Sequence, residues 1–387
     1  MREKPNAFKR GKRGAVPSPV ELMGAEYVYE YLVNITIGSQ AFSVIVDTGS
    51  SDTWLAQKGF SCLNLTGHPV PVSTCAFGTQ GFDSQLSKSF QAYPKTIFDI
   101  SYGDGEFLRG TAAFETVSIG GLTVKHQVIG VVSSAAWVGD GINSGLLGLA
   151  YPELTSVTNA GESMKYDPFF FSAVKQKKIS HPYFSIALDR GTAAETHSPA
   201  ADPHLGYFAF GGIVNVPVTS TCVTVPVQGY SLATRTPTTD PHPTHFYYTV
   251  DVQKYAFPNS SGVATANNNT IIDSGTTLNL VPSEVARAYN KGFGTWRDGS
   301  YYVDCAATAP PFNVTIGQRT FSIDPRDQVV WGGKDENGRS LCISGTQDGG
   351  PETTGSIFIL GDVFLHNVVV TFDIKKNQMT FTQRQRY

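Results

Sequence analysis

The chain has 387 residues, long enough for two lobes with a large core. Charged residues are sparse, while Gly, Ser, Thr and aromatics are plentiful, a balance that suits an all-β protein with many turns. The formal net charge of −3 gives no reason to expect nucleic acid as a partner, and no apolar run is long enough to span a membrane.

In chain order, residues 1–20 form a basic N-terminal tail. Arg2, Lys4, Lys9, Arg10, Lys12 and Arg13 face only Glu3, a local charge of +5 that leaves the remaining chain at −8. One reading is a solvated disordered tail. The other is a remnant of a basic propeptide, with Lys12-Arg13 as a dibasic cleavage point; no apolar stretch of signal-peptide type is read in it. Beyond the tail, YEYLVNITIG, FSVIVDTG, KTIFDISYGDG, FETVSIGG and LTVKHQVIGVV read as strands separated by turns. Helical signals are few. Asp167 to about Lys177 is expected to be a short helix with Asp167 as N-cap and Pro168 in the first turn, and Ser283–Tyr289 another, with Ser283 at a cap position. Two polar loops, Asp189 to Leu205 and Leu232 to His245, stand out, and the first is a fair place for a lobe boundary.

Cys62 and Cys75 are near neighbours in sequence, as are Cys305 and Cys342, and Cys222 is left over as an expected buried free thiol. Two plausible cystine loops, with sequons at Asn34, Asn64, Asn259, Asn268 and Asn313, favour an oxidising, extracellular setting. No CxxC is present, so a zinc ribbon is not expected. His242 and His245 fit a solvated loop better than a metal site, and neither metal nor cofactor is implied.

Asp47 follows three β-branched residues in VIVDTGSSDTWL. A carboxylate at the end of a buried strand is costly unless it is hydrogen-bonded or does chemistry. The later segment TIIDSGTTL repeats the pattern at Asp273. Each copy is followed by an apolar-apolar-Gly run, Gly145-Leu146-Leu147-Gly148 in the first half and Phe358-Ile359-Leu360-Gly361 in the second. Two halves with one ordered signature indicate duplication and a pseudo-twofold axis, which brings two carboxylates face to face. Gly49 and Gly275 let the backbone approach, so that their N–H groups reach the inner carboxylate oxygens. Ser50 and Thr276 are placed to bond the outer oxygens, and Thr48 and Ser274 to tie the two loops together.

These residues resemble the pepsin family of aspartic proteases, over roughly Tyr27 to Phe381. DTGSS at 47–51 and DSGTT at 273–277 are similar to the two active-site motifs, and Tyr102-Gly103-Asp104-Gly105 to the tip of the flap that closes over substrate. Trp54 falls where the family has a tryptophan that bonds the flap tyrosine. SGLLGLAYP and FILGDVFLHNVVVTFD resemble the strands that thread behind the active-site loops, and the cysteine spacings fit two of the family's usual bridges, Cys62–Cys75 and Cys305–Cys342.

The resemblance implies an all-β, bilobal, pepsin-like double β-barrel with pseudo-twofold symmetry and a few short helices. The N-terminal lobe would span 21–200 and the C-terminal lobe 201–387. It further implies an acid endopeptidase whose dyad, Asp47 and Asp273, activates a water. Peptide or protein would bind as an added strand through Gly49, Tyr102, Gly103, Asp104, Gly275, Thr276 and Thr277, with pepstatin-type inhibitors as further ligands. A secreted monomer, or a vacuolar one, is expected. Apolar residues at the scissile bond are expected, with Phe98, Phe107 and Leu108 as pocket candidates and Phe98 equally well placed in strand core. Asp104, similar to fungal secreted members, suits a Lys or Arg beside that bond. Glu106 stands where many members carry serine or threonine; it would either strengthen basic-residue acceptance or distort the hairpin. The rival class is an inactive pepsin-like fold used as a binding or inhibitor-receptor protein. Such relatives usually lack one aspartate, its glycine or the flap tyrosine, and all of these are present here.

Overall fold

The computed structural model describes residues 19–25, 30–78, 81–191, 204–258, 263–264, 269–353 and 356–387. The basic tail through residue 18, the sequons at Asn259 and Asn268, and positions 192–203 of the first polar loop lie outside that range. The described chain is strand-rich, with three short helices, Phe169–Lys175, Ser283–Asn290 and Asp362–Leu365. No described helix is long and apolar enough to cross a membrane.

Three groups of strands organise it. An eleven-stranded sheet takes its strands from Met23–Ala25 through Glu162–Ser163. An eight-stranded sheet runs from Thr249–Ala256 to Ile357–Leu360, beside a four-stranded one built from Thr295–Arg297 to Ser340–Ser344. A six-stranded sheet draws on both halves, in the order Val20–Glu21, Gly206–Phe210, Tyr183–Leu188, Val368–Asp373, Gln378–Arg384 and Val218–Pro226. Its phenylalanines lie in the largest core. Phe184 stacks on Phe372 at 4.6 Å, and Tyr248, edge-on to Phe372, sends its hydroxyl to the Leu149 carbonyl at 2.8 Å. That bond joins chain segments 99 residues apart.

The duplicated signature folds twice into the same arrangement. Gly145–Gly148 pairs parallel with Gln40–Asp47, setting Gly148 opposite Asp47, and antiparallel with Thr53–Cys62. Ile357–Leu360 pairs parallel with Asn269–Ile272 and antiparallel with Asn279–Val281. In each half an apolar strand is thus threaded between the two limbs of an Asp-bearing loop. The close approach demands glycine at its end. A Cβ on Gly148 would collide with the backbone of Ser51 and Asp52, and one on Gly361 with the Thr276 carbonyl. After Gly361 the chain turns into the helix Asp362–Leu365, so the segment read as one strand through 373 is a strand, a helical turn and a second strand in another sheet.

Both longer helices begin one residue away from the expected cap. Pro168 and Pro282 occupy the cap positions in extended conformation, and their carbonyls accept the first helical bonds, from Ser172 and Ala286. Asp167 instead pairs with Lys175 at 2.8 Å, and the Ser283 hydroxyl donates to Asp348 at 2.6 Å. Proline suits the entry because its fixed φ matches and it has no N–H to leave unpaired.

The disulfides Cys62–Cys75 and Cys305–Cys342 are formed. Cys222 is exposed rather than buried. It lies on the edge strand Val218–Pro226, where Val223 and Val225 turn inward, and the period of two sends Cys222 to the other face. In the loop 232–245, His242 is exposed and His245 stacks on Tyr151 at 5.2 Å between centroids, burial pushing its pKa down. No group of three or more metal-ligating side chains converges among the described residues.

Candidate active site

Asp47 ends the strand Gln40–Asp47, and Asp273 directly follows Asn269–Ile272. Their carboxyls are held alike. Gly49 N–H donates to Asp47 Oδ1 at 2.6 Å and the Ser50 hydroxyl donates to Oδ2. Gly275 N–H donates to Asp273 Oδ1 at 2.8 Å and the Thr276 hydroxyl to Oδ2 at 2.8 Å. Asp47 and Asp273 are 5 % and 7 % exposed. Both line the same cleft. Each glycine also backs the opposite carboxyl. A Cβ on Gly49 would stand 2.5 Å from Asp273 Oδ2, and one on Gly275 would stand 2.6 Å from Asp47 Oδ1.

Beneath the carboxyls the loops are cross-tied. The Thr48 hydroxyl donates to the Ile272 carbonyl at 2.8 Å and accepts from Ser274 N–H at 3.0 Å. The Ser274 hydroxyl donates to the Val46 carbonyl at 2.7 Å and accepts from Thr48 N–H at 3.3 Å. Serine at 274 makes the full set of bonds, since only the hydroxyl takes part.

Burial pushes the Asp47 carboxyl well above the usual carboxylate range, the charge of Asp273 raises it further, and the Ser50 and Gly49 bonds pull partly back. Two carboxyls this close in a poorly hydrated site do not both ionise, so they titrate as a unit that retains one proton.

The flap is the hairpin of Thr96–Ser101 and Phe107–Ile119, with Ser101 opposite Phe107. Glu106 leaves that register intact: Tyr102 N–H donates to the Glu106 carbonyl at 2.8 Å, closing the tip. Trp54 Nε1 donates to the Tyr102 hydroxyl at 2.8 Å. Gly103 and Asp104 are exposed at the tip, where Asp104 Oδ1 accepts from Glu106 N–H at 3.0 Å.

Between flap and carboxyls lies a cleft of about 900 Å³. All of Gly49, Tyr102, Gly103, Asp104, Gly275, Thr276 and Thr277 line it. Its apolar wall comes from Ile45, Ile100, Trp137, Leu146 and Leu280 rather than from the expected phenylalanines. Phe98 and Leu108 are fully buried core, and Phe107 carries the Arg109 guanidinium 5.2 Å over its ring. Phe98 and Ile100 share one face of their strand, but Ile100 is nearer the tip and alone reaches the cleft.

Three further features escaped the sequence reading. Trp137, 7 % exposed, packs edge-on to Trp54 at 5.3 Å and to Tyr102 at 5.9 Å. The sequence shows it only as a lone tryptophan just past a strand. Asp52, two residues before Trp54, is fully buried and accepts from the Tyr166 hydroxyl and, at 3.2 Å to each oxygen, from Ser156 N–H. Asp362 is fully buried beside the threaded strand, with no partner for either oxygen among the described residues. Burial, then the charges of Asp273 and Asp47, push its carboxyl well up.

The sequence model described as "Eukaryotic aspartyl protease" matches residues 30–384. A probable aspartic-type endopeptidase of Aspergillus fumigatus is 37% identical over 365 residues, covering 91% of this chain and 78% of that one. Rhizopuspepsin of Rhizopus chinensis is 29% identical over 350 residues, covering 89% and 76%. The crystal structure of the aspartic proteinase from Irpex lacteus superposes with a TM-score of 0.72 at 22% identity, covering 95% of this chain and 97% of that one, a likeness of fold. The chain belongs to the eukaryotic aspartyl protease family.

Proposed function

We propose that this aspartic-type endopeptidase cleaves internal bonds of extended peptides in acid, through a dyad of Asp47 and Asp273. The observation that carries this is the pair of carboxyls facing one cleft, each cradled by its own loop and backed by the glycine of the other. The ionised member takes a proton from a water whose oxygen attacks the scissile carbonyl carbon. The protonated member then delivers a proton to the departing nitrogen as the C–N bond breaks. Substrate lies as an added strand between flap and cleft floor, bonded through the main chain of Gly103, Asp104, Gly275 and Thr277. One carboxyl comes from each half, so a monomer is complete. The lobe division near residue 200 is supported by the eleven-stranded sheet ending by Ser163 and the eight-stranded one starting at Thr249. Two disulfides support passage through an oxidising secretory route.

Acid digestion of denatured haemoglobin, with and without a pepstatin-type inhibitor, tests the reading. Inhibitor-sensitive fragments are expected. Their absence after removal of the basic tail would favour a binding protein instead.

The cleft lining holds Glu30, Asp104 and Glu106 and no Lys or Arg. Apolar residues flank the scissile bond, and Asp104 accepts a Lys or Arg side chain beside it. Cleavage-site profiling of wild type and Asp104→Asn checks this. Cleavage after Lys relative to Leu is expected to fall about tenfold in the variant, the worth of one charge-assisted contact. An unchanged ratio rejects the role of Asp104.

A further inference from the structure

The Glu106 side chain does more than occupy the flap. Its Oε1 accepts from Val138 N–H at 2.7 Å, although 32 residues separate the two in sequence. Val138 follows the strand Leu122–Ala136 and the cleft-wall residue Trp137. From this contact we propose that Glu106 is a positioning residue, a latch that holds the flap tip against the cleft wall in its closed arrangement.

The latch acts on two sides of one aromatic contact. On the flap, Glu106 closes the turn that carries Tyr102, through the 2.8 Å bond from Tyr102 N–H to its carbonyl. On the wall, its carboxyl fixes the peptide directly after Trp137, the ring against which Tyr102 packs. The Trp54–Tyr102 bond supplies a second tether at the tyrosine end. Flap and wall are therefore joined at both ends of the Tyr102–Trp137 contact. A serine or threonine at 106 is too short to reach Val138 from the same backbone. The carboxyl that the sequence leaves open as a second acceptor for basic substrate is engaged by the protein itself, and Asp104 stays exposed at the tip.

An open flap does not grip an extended peptide, so apparent affinity scales with the closed fraction. Glu106→Ala is expected to raise KM for a peptide spanning the cleft about tenfold, with kcat within about twofold, the share of one charge-assisted bond. Glu106→Gln keeps an acceptor oxygen at the same reach and restores KM to within about threefold of wild type. This inference rests on the proteolytic reading for its kinetic arm only. Hydrogen exchange needs no turnover and decides it separately. The amides of Val138 and of residues 101–107 should exchange faster in Glu106→Ala and return toward wild-type rates in Glu106→Gln, with Tm unchanged in both. Unaltered exchange at Val138 in Glu106→Ala would overturn the latch, and so would a Gln variant as impaired as the Ala variant.

Discussion

Asp47→Asn and Asp273→Asn should each lower kcat by at least about 10³-fold, the scale of losing general acid–base catalysis, while both proteins remain folded. Asparagine has nearly the shape of aspartate: its carbonyl still accepts from Gly49 or Gly275 N–H, and its amide NH2 donates to the Ser50 or Thr276 hydroxyl oxygen in place of the bond the hydroxyl gave. It cannot share a proton or take one from water. Asp47→Asn also removes a carboxyl whose ionisation burial and Asp273 oppose, so its Tm above acid pH should equal or exceed that of wild type. By contrast, Gly49→Ala forces a Cβ within 2.5 Å of Asp273 Oδ2, so a loss there confounds geometry with chemistry. Single-turnover assays at several acid pH values, beside thermal melts, measure both quantities. An asparagine variant within tenfold of wild type and still inhibited by pepstatin-type compounds would exclude the dyad.

How much of this was readable in the sequence follows from how local each feature is. Asp47 and Asp273 sit in short motifs whose repetition exposes them, and Gly148 and Gly361 end runs that recur in the same order. Tyr102 and Trp54 became a pair through a family resemblance, and they meet at 2.8 Å. What the sequence could not show depends on distant partners. Trp137 matters because its ring meets Trp54 and Tyr102, and nothing beside it in the chain announces either. Asp52 and Tyr166 stand 114 residues apart, and neither lies in a motif that names the other. Asp362 lies in FILGDVFLHNVVVTFD, yet an Asp after Gly also reads as a turn, and only its burial marks it. Cys222 was misplaced because cysteine is usually buried, although the phase of Val223 and Val225 in its own strand carries the opposite message.

The buried carboxyls also set the pH range in which the fold holds. Asp47, Asp52 and Asp362 are all pushed above the usual carboxylate range, each chiefly by burial. A group raised in the folded state binds its proton more tightly there than in the unfolded chain. Its stabilising share is complete below the unfolded value, near pH 4, and is lost as pH climbs through the folded one. Each such group withdraws about 1.4 kcal/mol per pH unit across its window. Asp327 works in the opposite sense. Burial opposes its charge, but His366 and Arg190 outweigh that and hold it down to about 2, so its share is present above about pH 4 and is lost as pH falls toward 2. The Tm of wild type should therefore be highest in moderate acid and decline steadily toward neutrality. Asp362→Asn removes one of the three downhill contributions without adding a charge to the site. At pH 7 its Tm should exceed that of wild type, by about 2 °C for each kcal/mol of stability that Asp362 withdraws, while at pH 4 the two should agree closely. Scanning calorimetry from pH 3 to 8 on both proteins decides this. Melting curves that run parallel across the range would show that Asp362 is already ionised in the folded enzyme, and that the loss of stability toward neutrality has its origin elsewhere.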